Sequence, residues 1–178
     1  MPKGRIYWSG PRGFQLATRF NDLQIVSELE SYGWEVLYYF IEAAAEIRGR
    51  EGPLYGERSL IRRVNLAAVE RCDLLVAYVG CTDTGTAVEM HHAWVKGIPI
   101  LAWNDSFQIT DGEWAGRTLE AVDPGETLVE RVAPMNSMIP FDVYLEFSDA
   151  ERYPRGISPS EVASRIDKAA SELLKKRL

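Results

Sequence analysis

Asp73-Leu74-Leu75-Val76-Ala77-Tyr78-Val79 is a nearly continuous apolar run, and Gly80-Cys81-Thr82-Asp83-Thr84-Gly85-Thr86-Ala87-Val88-Glu89 follows it directly. A short apolar run without alternation is the pattern of a strand covered on both faces, as in a parallel sheet flanked by helices. The spacing after it predicts a helix over residues 85–96, stopped by Gly97. The junction therefore sets two carboxylates at the lip of a buried strand. Asp83 either caps the helix or faces a ligand. Glu89 is expected in the first helical turn, where unpaired N–H groups and the helix dipole favour its anion.

Working outward, residues 5–9 read as a first strand, closed by Gly10-Pro11. Leu16, Phe20, Leu23, Val26 and Leu29 recur at helical spacing up to Gly33. Residues 34–40 read as a second strand, and 41–57 as a loop after a short helix, punctuated by Gly49, Gly52, Pro53 and Gly56. Helical spacing resumes over 59–71 through Leu60, Val64, Ala67 and Ala68. A fourth strand is expected at 98–103 and a last one at 141–147. Between them, Asp111-Gly112 and Asp123-Pro124-Gly125 mark turns around a short helix at 116–121, in a long connection (104–135) that could act as a lid. Ser158 and Pro159 open an amphipathic helix over 158–176. Strands and helices alternate, which predicts a single α/β domain (1–178) with a five-stranded parallel sheet. Ligands of such sheets bind beyond the carboxyl ends of the strands, at a topological switch point. That edge gathers residues 9–14, 40–46, 80–89 and those after Trp103.

The composition narrows the function classes. A chain of 178 residues with a net charge of −6 has no electrostatic case for a nucleic-acid backbone or an anionic membrane as partner. Two cysteines, Cys72 and Cys81, form neither a disulfide framework nor a CxxC pair. Adjacent His91 and His92 point to different helix faces, unlike a chelating i, i+4 pair, so no metal is expected. The chain has no apolar run of the roughly 18–20 residues that cross a bilayer and no apolar signal-peptide core near residue 1, so the expected location is the cytoplasm.

Four segments, taken together, carry a resemblance: Ile6-Tyr7-Trp8-Ser9-Gly10-Pro11, Cys72-Asp73-Leu74-Leu75-Val76-Ala77, Asp83 to Glu89 with Ala93 beyond, and Asn136-Ser137-Met138. In this order and on these elements the chain resembles the nucleoside 2-deoxyribosyltransferase family, which is related to the deoxynucleoside 5'-monophosphate N-glycosidases. The resemblance implies a flavodoxin-like (Rossmann-like) fold with helices on both sheet faces, and no cofactor. It implies that Glu89 attacks the anomeric carbon of a 2'-deoxynucleoside, forming a covalent deoxyribosyl intermediate that an incoming nucleobase resolves with retention. Tyr7 then orients the nucleophile. Asp83 accepts a hydrogen bond from the 5'-hydroxyl, where an N-glycosidase of nucleotides carries Ser; an Asp there favours nucleosides over phosphorylated substrates. Asn136 reaches into a neighbouring subunit's site, so a homo-oligomer with shared sites is implied. Gly10 and Met138, inside matched segments, are placed with the substrate-binding residues. Phe14, in the loop after the first strand, is the aromatic best placed to stack on a base.

Two positions depart from the family pattern. Asn65 stands where an Asp usually contacts the base, and an amide cannot carry a proton to a leaving group. His91 replaces the usual Gly two residues after the nucleophile, and is expected to fill space rather than to catalyse. Transfer to a second base is the leading expectation. Its alternatives are an N-glycosidase using water and a non-catalytic nucleoside-binding module. An NAD-cleaving domain is disfavoured by Asp83 and by the lack of a Gly-rich phosphate loop.

Overall fold

In chain order the elements are β1 (Gly4–Ser9), α1 (Leu16–Ser31), β2 (Trp34–Tyr38), α2 (Leu54–Arg71), β3 (Leu74–Tyr78), α3 (Thr84–Val95), β4 (Ile100–Asn104), β5 (Val143–Glu146) and α4 (Pro159–Lys175). They come from a computed structural model that describes residues 2–10, 12, 16–39, 41, 54–80, 83–104, 141–146 and 158–177. All five strands are parallel, in the order β2-β1-β3-β4-β5. The chain runs outward from β1 to β2, then returns to lay β3 on β1's other side. The switch point thus lies between the carboxyl ends of β1 and β3.

Right-handed crossovers explain the layering. The connections β1–α1–β2 and β3–α3–β4 travel in opposite directions across the sheet, so they deposit their helices on opposite faces. In agreement, α1 packs on α4, while α2 packs on α3. The expected α/β domain with a parallel sheet and helices on both faces is the one observed. Every residue of β3 is buried, as its apolar run predicts. On α4 the buried stripe is Val162, Ala163, Ile166 and Ala170, and the Ser158 side chain caps the helix by accepting from the Glu161 N–H at 3.2 Å. Among the described residues, no helix is long and apolar enough to cross a membrane.

Several boundaries differ from expectation. The second strand stops at Tyr38, and the fourth is shifted to Ile100–Asn104 because Pro99 contributes only its carbonyl, which accepts from the Leu75 N–H at 3.0 Å. Helix α2 begins at Leu54, so Gly56 and Glu57 are helical rather than part of a loop. Pro53 directly before it is a common helix-start signal, and a glycine in the first turn breaks no ladder bond of the interior. The last strand is shorter than expected, at Val143–Glu146. The short helix expected at 116–121, its flanking turns and the lid lie outside the described residues. Cys72 is buried and free, and burial pushes its thiol up to about 12, so it stays protonated; Cys81 lies outside the described residues.

Gly10 closes β1 at a place where no other residue fits. Its φ of +146° is disfavoured for L side chains, and an added Cβ would meet the Tyr78 Cβ at 2.8 Å. Gly10→Ala should therefore lower the unfolding free energy by about 1–3 kcal/mol, measured by chemical denaturation. An unchanged midpoint would show that the end of β1 yields without cost.

Candidate active site

Strand alternation places the first parts of the site. Tyr7 and Ser9 are two residues apart on β1 and share a face, while Trp8 between them points to the other. The Tyr7–Ser9 face lies under α2 and α3, and Trp8 instead donates its indole N–H to Asp22 of α1 at 3.3 Å. Glu89 reaches down from α3 and Asn65 from α2, and the four side chains meet. Tyr7 Oη donates to Glu89 Oε1 at 2.9 Å, and Asn65 Nδ2 donates to the same oxygen at 3.0 Å. Ser9 Oγ donates to Glu89 Oε2 in a short hydrogen bond.

Glu89 is only 7% exposed, so its charge is energetically expensive. Burial pushes its carboxyl above the usual carboxylate range. The donors Ser9, Tyr7 and Asn65 pull the other way, and the negative Asp83 adds a small upward push. The net direction is up. Burial and the neighbouring Glu89 raise the Tyr7 hydroxyl as well, which keeps it a donor. The result is a carboxylate with fixed orientation, incompletely neutralised.

Glu89 forms part of the wall of a cavity of about 650 Å³, the size of a small-molecule site. Its apolar walls are Ile61, Leu66 and Val88; Thr84 and Gly85 line it from the start of α3, and Arg62 and Asn65 from α2. Asn65 is 9% exposed, and its Oδ1 is buried with no hydrogen-bond partner among the described residues.

The expected residues fall into three groups. Tyr7, Asn65 and Glu89 are brought together. Asp83 sits beside them as the N-cap of α3: its Oδ2 accepts from Thr86 N and Thr86 Oγ1, both at 2.6 Å. The capping reading of Asp83 is thus realised, and Oδ1 makes no hydrogen bond among the described residues. Gly10 is buried against Tyr78 and does not line the cavity. Phe14, Asn136 and Met138 lie outside the described residues.

Two expectations need correcting. Glu89 is the sixth residue of α3, which places it in the second turn. Its anion is consequently held by three side chains rather than by the orphan amides of the first turn, whose Thr86 N–H is taken by Asp83. His91 does not fill the site either. It is exposed on α3, with its ring 5.7 Å from that of Trp94. Ser9 is the functional-site residue that the sequence reading missed. The available signal was its two-residue spacing from Tyr7 on a strand that ends at the ligand edge.

The sequence model of the nucleoside 2-deoxyribosyltransferase family matches residues 6–138, a span that contains every side chain of this cluster. The chain belongs to the nucleoside 2-deoxyribosyltransferase family. Among solved structures it is similar to the 2-deoxyribosyltransferase of the psychrotolerant bacterium Bacillus psychrosaccharolyticus, at 17% identity and a TM-score of 0.50, over 60% of this chain and 77% of that one. It is also similar to a conserved protein from Enterococcus faecalis V583, at 21% identity and a TM-score of 0.52, over 98% of both chains. At such identities these two likenesses speak for the fold. No curated protein matches the chain.

In this nucleoside 2-deoxyribosyltransferase-family chain the energy of the buried carboxylate has a direct readout. A carboxyl raised in the folded state binds its proton more tightly there than in the unfolded chain. Its contribution to stability is therefore greatest below the unfolded value, near 4.5, and is lost as pH rises through the folded value. Glu89→Gln should be more stable than the parent at pH 7, by about 1 kcal/mol, with the gap closing towards pH 4. Thermal melts at the two pH values check this. A variant less stable at pH 7 would mean that the three donors outweigh burial.

Proposed function

We propose that the chain cleaves the N-glycosidic bond of 2'-deoxynucleosides and transfers the sugar to another nucleobase through a covalent deoxyribosyl-Glu89 intermediate. The observation that carries this reading is the buried Glu89 carboxylate, fixed by Tyr7, Ser9 and Asn65 in the wall of a cavity sized for a nucleoside. A carboxylate with only a structural task would be cheaper as a neutral amide; one kept short of neutralisation suits attack on an electron-poor carbon.

Glu89 approaches C1' on the face away from the base, first stabilising the oxocarbenium-like charge and then bonding to it as the C1'–N bond breaks. Tyr7 and Ser9 hold one carboxylate oxygen each, which fixes the direction of attack. The acceptor base takes the sugar from the vacated face, and the configuration at C1' is retained. Asp83, with Oδ2 committed to the cap, offers Oδ1 to the sugar 5'-hydroxyl. Phe14 stacks on the base, while Gly10 shapes the turn beside the site. Asn136 completes the sugar subsite of a neighbouring copy in a homo-oligomer, and Met138 contributes to substrate binding. Water in place of the acceptor base would make the same first step a hydrolysis.

Incubation with a panel of deoxynucleosides, with and without a second free base, separates the readings by chromatography. A new nucleoside is expected; free base alone would mean hydrolysis, and no turnover at all would leave a binding module. Glu89→Ala should fall to background in either reaction. The acid limb of kcat/KM should lie above 4.5, because Glu89 must be ionised and burial raises it. Tyr7→Phe removes one donor to that charge, worth about 1.5–3 kcal/mol. Its kcat should fall by roughly 10–100-fold, with the acid limb moved further up. A limb that stays in place would exclude Tyr7 as the group that holds the nucleophile.

A further inference from the structure

Departure of a nucleobase leaves an electron pair on nitrogen, and something in the cavity must take up that charge. The usual device is a general acid that supplies a proton. Among the described residues lining this cavity, none has that capacity. Asn65 is an amide, which has no proton to give up, and one of its two Nδ2 hydrogens is directed at Glu89. Tyr7 donates to Glu89, and its proton is held more tightly than usual. Thr84 offers only an alcohol, and Glu89 itself must be ionised to attack.

Among the described residues, one cation lines the same cavity. Arg62 lies three residues before Asn65 on α2, on the same helix face and about one turn away. It makes no ion pair or hydrogen bond among the described residues. Arg62 is exposed and stands beside the apolar residues Ile61, Leu66 and Val88 of the cavity wall, so its charge is reachable from the cavity mouth. A guanidinium is planar, permanently charged and able to donate two parallel N–H bonds, which matches a ring edge of carbonyl oxygen and ring nitrogen.

We propose that Arg62 is the electrostatic partner of the departing base, which leaves as an anion rather than by protonation, so that this chain selects oxo-substituted bases whose anions are stabilised. The inference rests on the glycosyl-transfer reading above. In the step, the C1'–N bond breaks with both electrons going to the base, and a C1'–O bond forms to Glu89. The anionic base pairs with Arg62 and takes its proton later from water. The return step consumes the anion of the acceptor base, whose N–H proton goes to solvent. Asn65 acts as a positioning residue: its N–H holds Glu89, and it adds no second negative charge beside the leaving group.

The test uses the full chain and two readouts. The first is binding of free 5-fluorouracil, followed by calorimetry above and below the N–H pKa of that base. The parent should bind the anion more tightly than the neutral base. Arg62→Gln should abolish the preference, and Arg62→Lys should keep part of it. An unchanged preference in Arg62→Gln, or none in the parent, overturns the proposal whether or not the chain is an enzyme. The second readout is base release from deoxyuridines whose 5-substituents grade the acidity of the base. The parent rate should rise with that acidity, and Arg62→Gln should lose about 10²–10³-fold on the least acidic member, with a steeper dependence across the series. Asn65→Asp introduces a carboxyl able to share a proton and should flatten the dependence. A parent series that is already flat would show protonation by some other group and sink the proposal. Absence of base release from every nucleoside in the parent would defeat the glycosyl-transfer reading instead, leaving the binding result to judge Arg62.

Discussion

The hydrogen bonds that hold Glu89 tie together three elements that are far apart in sequence. Tyr7 and Ser9 come from β1, Asn65 from α2, and the carboxylate from α3. A buried carboxylate with these donors missing would be forced to take up a proton, because an unpaired charge in an apolar interior is among the costliest groups in a fold. The arrangement therefore demands the register of β1 to the residue. A slip of one position would turn Tyr7 and Ser9 to the opposite face and bring Trp8 to the carboxylate. Parallel pairing of Tyr7 with both Leu37 and Leu75 fixes that register from two sides. Gly10 then lets the strand end against Tyr78.

The far face of the same strand ends is braced differently. Trp8 and Trp103 pack with ring centroids 5.4 Å apart, and Tyr78 meets Trp103 at 5.0 Å. Arg12 pairs with Asp22 at 2.8 Å, and both are almost fully buried. The guanidinium also lies 4.8 Å from the Tyr78 ring and 5.1 Å from that of Trp103. A buried ion pair adds little net stability, yet its loss on one side leaves an uncompensated charge. Its effect here is to lock α1 to the carboxyl ends of β1, β3 and β4. The ligand edge of the sheet is thus stiff from beneath while the cavity opens above it.

Much of this was legible in the sequence, for identifiable reasons. The apolar run of β3 and the capped, amphipathic α4 are strong local signals that tertiary packing does not override. The pairing of Tyr7 with Glu89 came through the family resemblance, since no local rule links residues 82 positions apart. The start of α2 at Leu54 was hidden by glycines that usually mark a loop, because a helical first turn tolerates them. Ser9 was hidden for a different reason. A serine at a strand end is ordinary by composition, and only the three-dimensional meeting with Glu89 gives it a task. The second-turn position of Glu89 was already implicit in the expected start at Gly85, from which it is the fifth residue of a helix with about 3.6 residues per turn.

Asn65 shows how one substitution redistributes work across a site. A carboxyl at this position, 3.0 Å from Glu89, would form a like-charge pair able to ionise only in part. Such a pair shares a proton that can be handed to a leaving group, but it holds back the nucleophile until that proton departs. The amide removes the conflict. It donates to Glu89 without titrating, and Glu89 need not compete for a shared proton. What the amide cannot do is give up a proton, and its Oδ1 is buried with no hydrogen-bond partner among the described residues. That acceptor and the Arg62 cation one helical turn away line the same cavity, one able to receive a hydrogen and the other to receive negative charge. On the glycosyl-transfer reading proposed above, a site that keeps its nucleophile ready by giving up its acid finds its selectivity in how easily the base carries its own electrons away.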